Sequence, residues 1–183
     1  MTTVSESSTI AGVYVVKPEI HGDQRGLFIE TYRREWFPRG REMIQGNRAN
    51  RQAGALVGLH FHLYQSDYWY VPFGTARVVL HDLRAGGPTD GATMCLDLSG
   101  ENHYGVYIPP GVAHGFAALT DVVITYLVDS YYDTNDELGV AWDDPDIGGI
   151  WGIDHPILSQ RDQGNPLRSE LDAATRPRWS SLE

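Results

Sequence analysis

Three histidines and a carboxylate carry the chemistry open to this chain: His60, His62, Asp67 and, much later, His114. They sit at the ends of short β-like runs framed by glycine, in Gly58-Leu59-His60-Phe61-His62, before Gly74, and in Pro109-Pro110-Gly111-Val112-Ala113-His114. An imidazole titrates near neutral pH, so His60 is suited to carry a proton. Residues i and i+2 of a strand share a face, so His60 and His62 point the same way. Imidazoles with one carboxylate are equally a donor set for a divalent metal. The residues alone leave both chemistries open.

Other residue types suit ligand binding. Tyr126, Tyr131 and Tyr132 follow the last strong β-like run, and a tyrosine can give or take a proton against a histidine base. Tyr131 reads as part of an aromatic packing belt. In Arg25-Gly26-Leu27-Phe28-Ile29-Glu30, Phe28 and Glu30 share a strand face and can stack on and hydrogen-bond a base or sugar. Gln45 and Asn47, also two apart, supply amide donors and acceptors for hydroxyls and phosphate oxygens.

Short β-rich runs separated by Gly, Pro, Asn and Asp must position these groups. They cover residues 13–16, 27–32, 55–61, 68–71, 77–83, 93–98, 105–108, 115–119 and 122–127. Such spacing predicts an all-β sandwich or barrel. Helical signal is confined to a short stretch over 33–43 and a turn or two over 159–171. The region 131–155 reads as a long loop, and loops of that length in a small domain usually cover something. Trp142 and Trp151 are expected to pin it to the barrel.

At 183 residues the chain fits one domain spanning 1–183, with residues 1–10 expected to be a flexible N-terminus. Net charge is −10, which argues against nucleic-acid and anionic-membrane partners. Nine arginines nevertheless fall between Arg25 and Arg84, compatible with a local basic pocket for a small anion such as a diphosphate. The single Cys95 fits a reducing compartment. No apolar run reaches membrane-spanning length, and Met1 to Ser8 lacks a secretory pattern, so a cytoplasmic protein is expected.

The spacing of Gly54, His60, His62, Asp67 and Gly74, answered by Pro109, Gly111 and His114, agrees with the two cupin motifs, with Asp67 where Glu is usual and Ala118 where Asn is usual. More specifically, the chain resembles the dTDP-4-dehydrorhamnose 3,5-epimerase family from about Tyr14 to Leu171. The match includes Gly22-Asp23-x-Arg25-Gly26-x-Phe28-x-Glu30, Gln45-x-Asn47, Gly58-Leu59-His60-Phe61, Ile108-Pro109-x-Gly111-x-Ala113-His114-Gly115-Phe116, Tyr131-Tyr132, Trp142-Asp143-Asp144-Pro145 and Leu158-Ser159-x-x-Asp162. The resemblance implies a cupin-type jelly-roll β-barrel with short helices and a C-terminal loop or helical segment. It implies a homodimer with N-terminal strand exchange, and chemistry on a nucleotide-linked 4-keto-6-deoxy sugar without metal or other cofactor. It makes His60 the base, Asp162 its partner and Tyr132 the acid. Arg25, Phe28, Glu30, Gln45, Asn47 and His114 become substrate-binding, with His62, Asp67 and Tyr126 beside them.

Two departures bear on this. The family has Arg before Gly-Leu-His, where this chain has Val57, and a Lys that helps stabilise the enolate oxygen, where this chain has Asp67. An anion in place of a cation reverses the local field, and electrostatic stabilisation is usually a large contribution. Either His62 as imidazolium, paired to Asp67, replaces the lysine, or the reaction differs. Epimerisation at C3, C5 or both is the leading expectation. The alternatives are a metal-dependent cupin enzyme using His60, His62, Asp67 and His114, and a sugar-nucleotide-binding paralogue with little catalysis.

Overall fold

Apolar alternation builds two facing sheets. The computed structural model describes residues 1–37, 42–172 and 176–179. In chain order its strands are β1 (Thr3–Glu6), β2 (Tyr14–Lys17), β3 (Ile20–Asp23), β4 (Gly26–Ile29), β5 (Gln45–Arg51), β6 (Leu56–Phe61), β7 (Asp67–Phe73), β8 (Thr75–Asp82), β9 (Thr93–Ser99), β10 (Gly105–Ile108), β11 (Val112–Ala118), β12 (Val122–Val128) and β13 (Leu138–Gly139). One sheet has the order β1-β2-β10-β7-β12-β5 and the other β13-β6-β11-β8-β9. The crossing connections make the expected jelly roll.

Strand parity explains the layers. On β7, Trp69 and Val71 enter the cluster between the sheets, whereas Tyr68 turns outward to Phe37 and Tyr107. On β8, Ala76, Val78 and Leu80 face inward while Val79 enters an outer cluster. That outer cluster joins Leu56, Leu59 and Phe61 to Val140, Ile147 and Trp151 of the long loop. The five-stranded sheet is therefore apolar on both faces, one packed on its partner sheet and one roofed by the loop. Trp151 donates its indole N–H to the Trp142 carbonyl at 2.9 Å, fastening the roof as the sequence suggests.

Two local expectations need correction and a third, the turn or two over 159–171, holds. The first ten residues are not a loose tail: β1 pairs antiparallel with β2, Thr3 against Lys17, and Ile10 is wholly buried. Among its described residues, the segment 33–43 makes a 3-10 turn, Arg34–Trp36, and no α-helix. Phe37 is already extended, as a residue before proline must be; positions 38–41 lie outside the described residues. The segment 159–171 likewise makes two 3-10 turns, Asp162–Gly164 and Arg168–Glu170, with Asn165 extended before Pro166.

The hairpin of β3 and β4 joins neither sheet. Nearly all its residues are exposed, including Ile20, Leu27 and Phe28.

Candidate active site

A bulge aims the histidines. Opposite β11, His60 pairs with His114 but Val57 pairs with Phe116, so β6 carries one extra residue between the pairs. The extra residue reverses strand parity. Val57 faces the interior, Leu59 and Phe61 face the outer cluster, and His60 and His62 look into the barrel. Glycine is required here. Gly58 has φ +110°, and a Cβ on it would stand 2.7 Å from both the Gly115 Cα and the His114 carbonyl oxygen.

His60 Nε2 lies 2.6 Å from Asp162 Oδ1. Asp162 is nearly fully buried, behind the imidazole on the 3-10 turn, and its N–H donates to the Ser159 hydroxyl at 3.1 Å. Burial pushes the Asp162 carboxyl up, but the hydrogen bond and charge of His60, with the Ser159 and Gly58 hydrogen bonds, hold it below the usual carboxylate value. An ionised Asp162 accepts from Nε2–H, which leaves the lone pair of His60 on Nδ1.

His60 lines a cavity of about 530 Å³ in the barrel mouth. His62, Asp67, His114, Gln45, Asn47, Tyr126 and Tyr132 line it too, so the structure brings these expected residues together. Gln45 and Asn47 are linked by a 3.0 Å side-chain hydrogen bond. His114 donates Nδ1–H to the Val112 carbonyl at 2.9 Å and meets the edge of Trp69. Burial pushes His114 down to about 4, against the opposing pull of Asp67, so its imidazole is neutral at neutral pH. Burial likewise raises the Tyr126 phenol, and Asp67 adds to the effect. Tyr132 and Tyr131 are largely exposed on the cavity wall, so Tyr131 is not the packing residue expected.

Arg25, Phe28 and Glu30 are not brought to this cavity. They lie on or just after the projecting hairpin, Arg25 paired with Asp23 and Glu30 with Arg33. Sequence reasoning missed Arg51, Gln65 and Glu137, which line the cavity. Arg51 continues the period-two face of Gln45 and Asn47 and was open to detection by counting on. Glu137 comes from the loop and had no local signal. Asp136, beside it, accepts the N–H groups of Leu63, Tyr64 and Gln65 and so shapes the short β6–β7 connection.

An imidazole held by a buried carboxylate, with phenols on the same cavity wall, is an arrangement chemically able to move protons on and off a bound ligand. This is the equipment of a cupin-fold epimerase. The chain belongs to the dTDP-4-dehydrorhamnose 3,5-epimerase family, whose sequence profile matches residues 7–170. It is 36% identical over 175 residues to a dTDP-4-dehydrorhamnose 3,5-epimerase of Sinorhizobium fredii, covering 91% of this chain and 90% of that protein. It is 32% identical over 183 residues to a dTDP-4-dehydrorhamnose 3-epimerase of Streptomyces niveus, covering 95% and 88%. Its fold superposes with a TM-score of 0.94 on NovW, a 4-keto-6-deoxy sugar epimerase of Streptomyces spheroides, at 31% identity over 100% of this chain and 96% of that one.

Proposed function

We propose that this protein epimerises a dTDP-linked 4-keto-6-deoxy sugar at C3, C5 or both. The observation that carries the reading is the 2.6 Å contact between His60, which lines the cavity, and the buried Asp162 behind it. A 4-keto group acidifies the neighbouring C–H bonds. His60 Nδ1 takes such a proton, leaving an enolate, and Asp162 holds the ring and stabilises the imidazolium that forms. Tyr132 returns a proton from the other face, which inverts the carbon. Gln45, Asn47, Tyr126 and Arg51 supply contacts for hydroxyl and phosphate oxygens.

The projecting hairpin gives Arg25, Phe28 and Glu30 a role as well. In a homodimer that exchanges N-terminal segments, they reach the partner's cavity and hold its nucleotide. The exposed apolar residues Ile20, Leu27 and Phe28 on a sheet of only two strands support that reading. Deoxysugar biosynthesis in the cytoplasm is the setting this reading implies. Among the described residues no helix is long and apolar enough to cross a membrane.

Deuterium wash-in tests the reaction. The protein is incubated with dTDP-4-keto-6-deoxyglucose in heavy water and the sugar is followed by mass and proton NMR. One deuteron gained means one epimerised carbon and two mean both; His60→Ala abolishes uptake, and Tyr132→Phe lowers epimer formation more than uptake. Absence of uptake by the wild type rejects the reading and favours a binding paralogue.

A further inference from the structure

We propose that Arg51 is the residue of this chain that reads the charge of the substrate's diphosphate, and that it does so from β5 because β6 offers no cation. The assignment rests on the proposed nucleotide-sugar epimerisation. Arg51 is the last residue of β5 and Val57 the second of β6. A short turn joins them, in which Ala55 N–H donates to the Gln52 carbonyl at 3.1 Å. Both residues line the cavity. Val57, where the family carries arginine, packs against the apolar cluster between the sheets and brings no charge. Arg51 brings a guanidinium from the other side of the same turn.

Arg51 differs from the other charges of the cavity. The carboxylates in the lining already have donors within the chain. Asp67 accepts from the Gln65 amide and from the Trp69 indole, each at 2.9 Å. Asp136 accepts the N–H groups of Leu63, Tyr64 and Gln65, and Asp133 accepts from Asn135. Glu137 accepts from Arg161 at 2.7 Å. Among the described residues, the only hydrogen bond of the Arg51 guanidinium runs from Nη1–H to the Asn50 carbonyl at 2.9 Å, and no carboxylate pairs with it. By contrast Arg33, Arg77, Arg84, Arg161 and Arg168 each face a carboxylate. The guanidinium of this lining therefore has donors to spare, and its planar fork matches the paired oxygens of a phosphate.

Position fits the ligand. Gln45, Asn47 and Arg51 share the inward face of β5. Gln45 pairs with Val128 and Arg51 with Val122, so the two mark opposite ends of that face. On β6, His60 lies beyond Val57 by at most about 10 Å along the strand. A sugar ring reacting at His60 places its anomeric oxygen, and the phosphates attached there, within reach of a side chain as long as arginine's. The charge of Arg51 is felt inside the cavity: burial, and then Asp67, push the Tyr126 phenol up, while Arg51 pulls it back. Arg25 reaches a cavity only with the partner's hairpin, so Arg51 is the cation that each chain supplies to its own.

Ligand-observed NMR titrations of the full-length protein with dTDP and with thymidine test the assignment. Arg51→Gln should weaken dTDP binding by about ten- to a hundredfold and leave thymidine binding unchanged, since the lost contact is to a charged group. Arg51→Lys keeps the charge without the fork and should lose less. Arg48→Gln removes the same charge from the outward face of the same strand and should leave dTDP binding unchanged. Both arginines are exposed, so these substitutions spare the core. Added salt should weaken dTDP binding more steeply in the wild type than in Arg51→Gln. Unchanged dTDP affinity in Arg51→Gln, an equal loss for thymidine, or an equal loss in Arg48→Gln overturns the assignment. Because dTDP carries no sugar, the titration and the wash-in fail separately. Binding of dTDP that depends on Arg51, without deuterium uptake, rejects the epimerase reading and leaves Arg51 standing; uptake with dTDP affinity untouched by Arg51→Gln does the reverse.

Discussion

Asp162 stands 102 residues from His60 in the chain, yet its carboxylate oxygen contacts the imidazole at 2.6 Å. The two meet because the C-terminal segment runs beside β6: Ala55 bridges Ile157 in parallel, and Leu56 N–H donates to the Ile157 carbonyl. Asp162 does not line the cavity; its contact with it is through the His60 ring.

Asp162→Asn therefore lowers kcat by about 10²- to 10⁴-fold while leaving KM nearly unchanged, because an amide can present the wrong partner to Nε2 and cannot stabilise the imidazolium. Steady-state rates with a 4-keto sugar substrate check this. An equal rise in KM at unchanged kcat would place Asp162 in binding instead.

Subunit complementation checks the hairpin. Arg25→Ala/Phe28→Ala and His60→Ala proteins are each nearly inactive under the proposed exchange. Unfolded together and refolded, they form hybrid dimers in which one cavity has an intact base and an intact incoming hairpin. Random pairing restores roughly a quarter of wild-type activity. No recovery in verified hybrids would confine each hairpin to its own chain.

Gly58→Ala should destabilise the fold by about 2 to 4 kcal/mol, since the methyl meets the backbone of β11 at 2.7 Å and the residue must keep a positive φ. Chemical denaturation measures it. A variant of wild-type midpoint would mean that the bulge relaxes, and His60 would then lose its aim.

Acid should destabilise the protein through His81. Its Nδ1–H donates to Thr93 Oγ1 at 2.9 Å, and Nε2 is buried with no hydrogen-bond partner. Burial first, and the charge of Arg168 second, push this histidine down to about 4, despite the opposing carboxylates of Asp82, Asp144 and Asp90. The unfolded chain then binds the extra proton, so stability present above pH 6.5 is lost as pH falls toward 4, by about 3 kcal/mol from this group. Thermal unfolding across that range should show the fall, and His81→Gln should flatten it. An unchanged slope in that variant would assign the acid sensitivity elsewhere.

Much of the barrel was readable because its strands are short β-rich runs set between Gly, Pro, Asn and Asp clusters. The expected runs over 93–98, 105–108 and 122–127 match β9, β10 and β12 within a residue or two. β5 escaped because Gln45–Arg51 has almost no apolar content: it is an edge strand whose inward side chains contact the cavity instead of a core. β1 and β3 escaped for a similar reason, being short and polar at the margins. Within the site, His60, His62, Asp67 and His114 were legible from spacing, and Asp162 from the family resemblance. The parity reversal at Gly58 was not, since a bulge is a relation between two strands and leaves no periodic mark in either. Nor could spacing show that Asp162 contacts His60, or that the Arg25 hairpin lies outside the lining of its own cavity.

The roof fastened by Trp151 and Trp142 also sets a timetable. Barrel strands and His60 are synthesised well before the segment that carries Asp162, so a growing chain holds the imidazole long before anything orients it. Competence arrives only when the last quarter of the polypeptide has emerged and settled along β6.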